Sequence, residues 1–375
     1  MDSMSTNSDA YPRTETYYEK LARLSKIQEF QKDENGVLSL TKRDPKVKDG
    51  EEDPVLKDYQ KDYKFPKDYK AQPSAAMAAA ARAPRNDTEK KLFAWRERMN
   101  GVSVNMAPNV KTEKVTTDEG VSMMSYTPVL TAPYETLPAV MYIHGGGFIG
   151  GSIYLTQGFS YLLAQVAHVK VFAVDFHYAP EFDYETTTSE NYSSLRYLSE
   201  HADELGIDPA NITLYGESTG ANIAAAITYM DRETRYAKQQ ALLYPLVTID
   251  SKQIRELTPK GAGSGPVGAS GDFTTLIDTI GTAYTHDKID KMDPLVSPIN
   301  YPDDVTANLP RTILVTDEFD PLHEEGYAFA KKLAKAGVDL HYLYYPGMTH
   351  AFLNNVGLFA QAEDFAWEMA KWLRG

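Results

Sequence analysis

Ser218 stands in Gly216-Glu217-Ser218-Thr219-Gly220, after the apolar run Ile212–Tyr215 and before the small-residue run Ala221–Ile227. This reads as strand, tight turn and helix. The flanking glycines permit the bend because they carry no Cβ. A serine so placed has its hydroxyl pushed out of the backbone. It also stands at a helix N-terminus, where free N–H groups and the helix dipole favour negative charge. Those are the needs of a nucleophile attacking a carbonyl. A second loop, His144-Gly145-Gly146-Gly147-Phe148, ends the strand-like run Leu137–Ile143. Three successive glycines stabilise neither a helix nor a strand. They suit a loop whose N–H groups face a cavity, as an oxyanion requires. No Gly-Lys-Ser/Thr follows, and the spacing is not that of a dinucleotide fingerprint.

A nucleophilic serine needs a base, and the base needs an orienting acid. Of the eight histidines, His350 follows the β-rich run Leu340–Tyr345 and the turn Pro346-Gly347-Met348-Thr349. A histidine on the loop after the last strand can reach across to the serine. Another apolar strand, Arg311–Thr316, ends in Asp317-Glu318-Phe319-Asp320-Pro321-Leu322. Asp320 precedes a proline and is biased away from the α region, as suits a fixed loop carboxylate. Asp317 and Glu318 are its rivals on spacing alone.

These segments together resemble the hormone-sensitive-lipase-like family of α/β-hydrolase esterases, over roughly residues 110–375. The likeness rests on His144–Phe148, Gly216–Asn222, Glu318–Leu322 and Tyr345–Phe352, in that order. The resemblance implies Ser218 as nucleophile, His350 as general base and acid, and Asp320 as its partner. It implies an oxyanion hole made by the N–H groups of Gly146, Gly147 and Thr219. Asp175-Phe176-His177-Tyr178-Ala179-Pro180-Glu181 is similar to a further family segment, but a histidine stands where the family has arginine. That departure touches local salt bridges and not the triad. Thr219 and Ala221 stand where alanine and glycine are common, and the β-branch of Thr219 is expected to narrow the acyl side of the pocket. Amide, lactone and carbamate cleavage share the same triad. Some proteins of this fold are small-molecule receptors that have lost the histidine; here His350 is present.

The elements that must position these groups follow from the pattern. From about Val110, strands are expected near 115–116, 121–126, 138–143, 170–175, 211–215, 240–244, 311–316 and 339–345. Helices fall near 155–168, 186–202, 219–232, 323–336 and from Ala351 to Leu373. Such alternation means a mostly parallel sheet covered on both faces, with catalytic loops at the carboxyl ends of its strands. Residues 106–375 are therefore expected to form the catalytic domain. Residues 246–308 interrupt the alternation, with Gly261–Pro266 as a turn and a helix near Thr274–Tyr284. They are expected to join residues 1–105 in a helical cap that excludes water and shapes the pocket. Within 1–105, Tyr17, Leu21, Leu24, Ile27 and Phe30 have helical spacing, with Gly36 as the stop. Lys42 to Lys70 reads as a solvated connector with Lys-Asp-Tyr at 57, 61 and 67. Ala75–Ala83 reads as helical, and Asn86 or Asp87 caps a helix that runs to Met99 with Gly101 after it.

The bulk numbers fit this picture. The charge is 38 minus 52, or −14, which disfavours nucleic acid and anionic membranes as partners. With no cysteine, disulfides and thiolate chemistry are excluded. His323 and His341 lack ligand-spaced partners, so neither metal nor cofactor is expected. Met1–Asn7 is polar, no apolar run approaches a membrane span, and a cytoplasmic location is the default expectation. The substrate is expected to be a small or medium, short or bulky ester. A homodimer is compatible with the resemblance.

Overall fold

Among the described residues, a ten-stranded sheet organises the chain, in the order β1-β2-β10-β9-β8-β7-β5-β6-β4-β3. Its strands are β1 (Gln31–Lys32), β2 (Leu38–Thr41), β3 (Val110–Thr116), β4 (Ser122–Pro128), β5 (Leu137–Ile143), β6 (Lys170–Asp175), β7 (Ile207–Glu217), β8 (Gln239–Leu243), β9 (Arg311–Asp317) and β10 (Leu340–Tyr345). The helices are α1 (Glu15–Leu24), α2 (Pro54–Asp62), α3 (Ala75–Ala79), α4 (Asp87–Arg96), α5 (Gln157–Ala167), α6 (Tyr184–Glu200), α7 (Ala202–Leu205), α8 (Thr219–Met230), α9 (Ser251–Leu257), α10 (Phe273–Thr285), α11 (Asp303–Ala307), α12 (His323–Lys335) and α13 (Ala360–Leu373). These come from a computed structural model that describes residues 14–62, 74–99, 105–132, 134–258 and 273–375. Several sequence expectations lie outside those residues: the polar Met1–Asn7, the third Lys-Asp-Tyr at Lys67, the stop at Gly101 and the turn Gly261–Pro266.

From β2 to β6 the central pairings are parallel, and β3, β4 and β1 add antiparallel edges. Strands of a parallel sheet are buried on both faces, so they read as continuous apolar runs. Side chains still alternate between faces. In β5, Ala139, Met141 and Ile143 enter one core with Ile223, Ile227 and Phe329. Val140 and Tyr142 enter the opposite core with Phe159, Phe365 and Met369. Helices α8 and α12 thus cover one face, and α5 and α13 the other.

The strand register aligns the loops that matter. Ile143 is level with Gly216, Gly216 with Leu242, and Leu242 with Leu314. The chain runs from β5 to β6 on one side, then crosses back to place β7 on the other side of β5. A crevice opens at such a switch point, beyond the carboxyl ends of the strands. The glycine loop after β5 and the serine turn after β7 meet there.

The first hundred residues differ most from the sequence reading. Helix α1 stops at Leu24, and Ile27 and Phe30 pack from a loop. Gly36, at φ +82°, belongs to the link between β1 and β2, not to a helix end. Strand β2 then pairs with β10, so residues 31–41 extend the main sheet. The connector is solvated over much of its described length, but a few of its residues are buried anchors. Lys42 is fully buried, 2.8 Å from Glu368 and 3.2 Å from Asp364. Lys20 and Asp53 form a second buried pair at 2.6 Å. At the other end of the chain, Phe352–Asn355 forms a short 3₁₀ turn and α13 begins only at Ala360. Gly357, at φ +93°, interrupts the helix expected from Ala351.

Candidate active site

The turn bearing Ser218 is as tight as its sequence demands. Ser218 has φ 57° and ψ −123°, a strained conformation that aims its side chain away from the helix it begins. A Cβ on Gly216 would lie 2.2 Å from the carbonyl oxygen of Gly220, and one on Gly220 would lie 2.2 Å from that of Ile143. Both positions therefore exclude a side chain, which explains the spacing of the two glycines. The Ser218 N–H donates to the carbonyl of Leu243 at 2.9 Å, locking the turn to β8.

His350 and Asp320 reach this serine from the ends of β10 and β9. The Ser218 hydroxyl is 2.8 Å from His350 Nε2, and His350 Nδ1 is 2.7 Å from Asp320 Oδ2. A carboxylate only accepts, so the imidazole proton sits on Nδ1 and Nε2 is left to accept from the serine. Asp320 is almost fully buried and accepts from the Leu322 N–H at 2.7 Å through its other oxygen. Burial opposes the imidazolium of His350, but the charge and hydrogen bond of Asp320 together hold its pKa above the ordinary value.

The two rivals of Asp320 have other positions. Glu318 accepts from the N–H groups of Gly347 at 2.8 Å and Gly50 at 3.2 Å. It braces the loop that carries His350 against the N-terminal arm. Asp317 is fully buried beside Asp320, and apart from its own backbone N–H no donor among the described residues reaches its oxygens. Burial, then the nearby Asp320, pushes its carboxyl well above the usual range.

The glycine loop lies beside the serine. Gly146 and Gly147 have φ of +129° and +63°, conformations that side chains resist. Among the described residues, no acceptor pairs with the N–H groups of Gly146, Gly147 or Thr219. Glu217 holds the start of this loop: its Oε1 accepts from the Gly145 N–H at 2.6 Å. Burial raises the Glu217 carboxyl to about 7. The Thr219 hydroxyl oxygen accepts from the Phe148 N–H at 3.2 Å, so this side chain ties the serine turn to the glycine loop.

Residues without a recognisable sequence signal complete the surroundings. Arg96, at the end of α4, donates to the Ile149 carbonyl, to Ala179 at 2.9 Å and to both oxygens of Glu181 at 3.1 and 2.7 Å. It supplies a guanidinium beside the segment that lacks the family's arginine. His177, at that arginine's place, pairs with Glu190 at 2.6 Å. Trp95 lies so close to Gly147 that a Cβ there would come within 2.8 Å of its ring. From the other side, Tyr284 of α10 stacks on Phe148 at 4.0 Å and 7°. Tyr244 meets the His350 ring edge-on at 4.9 Å. Among the described residues, no group of three or more His, Asp or Glu is arranged to hold a metal. Likewise, no helix is long and apolar enough to cross a membrane.

The chain is similar to known proteins of this fold. Residues 140–354 match the family model described as alpha/beta hydrolase fold. An arylesterase of Saccharolobus solfataricus is 32% identical over 217 residues, which are 58% of this chain and 68% of the relative. An ethyl acetate hydrolase of Pseudomonas putida is 28% identical over 242 residues, 64% of this chain and 73% of the relative. Among solved structures, an esterase of Pyrobaculum calidifontis superposes with a TM-score of 0.65 at 26% identity, covering 86% of this chain and 98% of that one.

Proposed function

The chain belongs to the hormone-sensitive-lipase-like family of α/β-hydrolase esterases and is a carboxylesterase-type hydrolase; we propose that it cleaves small or medium carboxylic esters through Ser218, His350 and Asp320. The observation that carries the residue assignment is the continuous row from the Ser218 hydroxyl through the imidazole to the Asp320 carboxylate, 2.8 and 2.7 Å long.

In this reading, His350 Nε2 takes the serine proton as the oxygen attacks the ester carbonyl. The carbonyl oxygen becomes an oxyanion held by the N–H groups of Gly146, Gly147 and Thr219. The imidazolium, stabilised by Asp320, then protonates the leaving alcohol. Water enters, His350 takes its proton, and a second tetrahedral intermediate collapses to release the acid and restore Ser218. No cofactor takes part in any step.

We assign cap roles to α4 and α10. The contacts of Trp95 with Gly147 and of Tyr284 with Phe148 support this, since both elements bear on the glycine loop. Aromatic packing there supports short or bulky acyl groups over long flexible chains. Ser218→Ala is expected to lower ester turnover by a factor of about 10⁴ or more while leaving the fold intact. A panel of nitrophenyl esters from two to sixteen carbons is expected to favour the short members. Near-normal turnover in the purified variant defeats the residue assignment, and an optimum at long chains defeats the substrate range.

A further inference from the structure

The triad uses one carboxylate at the end of β9, yet the fold buries two. Asp317, the last residue of the strand, is 0% exposed, and Asp320 is 1% exposed. Their side chains interact directly, and the Asp320 N–H lies 3.4 Å from the Asp317 carbonyl. Asp320 spends its own oxygens on the Leu322 N–H and on His350. Apart from its own backbone N–H, no N–H or O–H donor among the described residues reaches either oxygen of Asp317. Two adjacent buried carboxylates, with no cation paired to Asp317 among the described residues, do not both ionise readily, because burial and mutual repulsion each oppose the second charge. One proton between them resolves the conflict. Asp320, beside an imidazole and a backbone donor, is the better anion; Asp317 is the better acid.

We propose that Asp317 is a positioning residue that extends the row to four members: its neutral carboxyl donates a hydrogen bond to the Asp320 carboxylate, fixing that group toward His350 and moderating its charge. This rests on the triad reading above. The groups around the pair are His350 and Glu217 on the serine side, Glu325 and His323 of α12, Tyr244 after β8 and Tyr344 of β10. Glu325 is also fully buried; one of its oxygens accepts from the Val247 N–H at 3.0 Å and the other has no partner among the described residues. None of these groups brings a cation against Asp317 that would keep it ionised.

The sign of a pH shift separates the alternatives. If Asp317 is neutral, Asp317→Asn replaces one neutral donor with another, and the acid limb of kcat/KM stays where the wild type has it. Asp317→Ala removes the donor. Asp320 then holds the imidazolium more strongly, and the limb moves to higher pH by roughly half a pH unit or more. If Asp317 is instead an anion, both substitutions delete a negative charge near His350 and both move the limb to lower pH. A residue that merely fills space moves it in neither variant. A readout independent of activity is the infrared difference spectrum of wild type minus Asp317→Asn, which is expected to carry the carbonyl band of a buried protonated carboxylic acid. The proposal is overturned by a downward shift in both variants, by no shift in Asp317→Ala, or by absence of that band. A band present in a protein whose Ser218 proves unreactive would leave Asp317 protonated and defeat only the triad reading.

Discussion

Substituting Glu217 by glutamine isolates the cost of a buried carboxyl beneath the serine turn. Glu217 is 2% exposed, and burial raises it from 4.5 to about 7. A carboxyl raised on folding contributes most favourably below its unfolded pKa, and that contribution is lost as pH rises through the folded value. At about 1.4 kcal/mol for each pH unit, the full loss is roughly 3 kcal/mol, and most of it, about 2–3 kcal/mol, develops between pH 5 and pH 9. Glutamine keeps a carbonyl oxygen to accept from the Gly145 N–H and has no charge to bury. Unfolding entropy of about 2.1 cal/mol/K per residue, over 375 residues, amounts to roughly 0.8 kcal/mol/K. The Tm of Glu217→Gln relative to wild type should therefore rise by about 3 °C on going from pH 5 to pH 9. Calorimetry of both proteins at the two pH values measures it. A difference that is the same at both, or larger at pH 5, refutes the assignment of a raised carboxyl.

Two further outcomes follow from other parts of the molecule. Lys42→Met leaves Asp364 buried without a cation and Glu368 with Lys371 alone, so chemical denaturation near neutral pH should show a loss of about 3 kcal/mol, the low end for an uncompensated buried charge; a loss below about 1 kcal/mol means the arm is not anchored there. Only the neutral imidazole can take the serine proton, and Asp320 holds His350 above its ordinary value, so the acid limb of kcat/KM for a short nitrophenyl ester should have its midpoint above pH 6.5; a midpoint below 6.5 contradicts that coupling.

The serine turn and the glycine loop were legible because their conformations admit few residue types. Gly216 and Gly220 have no room for a Cβ, and Gly146 and Gly147 require positive φ. Asp320 is separable from Asp317 and Glu318 by its proline neighbour and by the family resemblance of Glu318–Leu322; the geometry sets it apart by its bond to His350. The long central strands were legible because two-sided burial writes uninterrupted apolar runs. Strands β1 and β2 were not, being two and four residues long and largely exposed. Lys42 looked solvated because the anions that hold it lie more than three hundred residues away in sequence, on α13. The same holds for Arg96, whose partners Ile149, Ala179 and Glu181 come from two other loops. Ile27 and Phe30 kept a helical rhythm past the end of α1 because their burial against the sheet edge, not a helix, sets their apolar character.

In the proposed mechanism the Ser218 oxygen is activated by His350. Mass spectrometry after exposure to a serine-directed organophosphonate tests it directly, on the wild type and on the Ser218→Ala and His350→Ala variants. One adduct is expected on wild type, located at Ser218, none in Ser218→Ala, and a labelling rate in His350→Ala lowered by about two orders of magnitude or more. An adduct on another residue, or equal labelling rates with and without the imidazole, contradicts it.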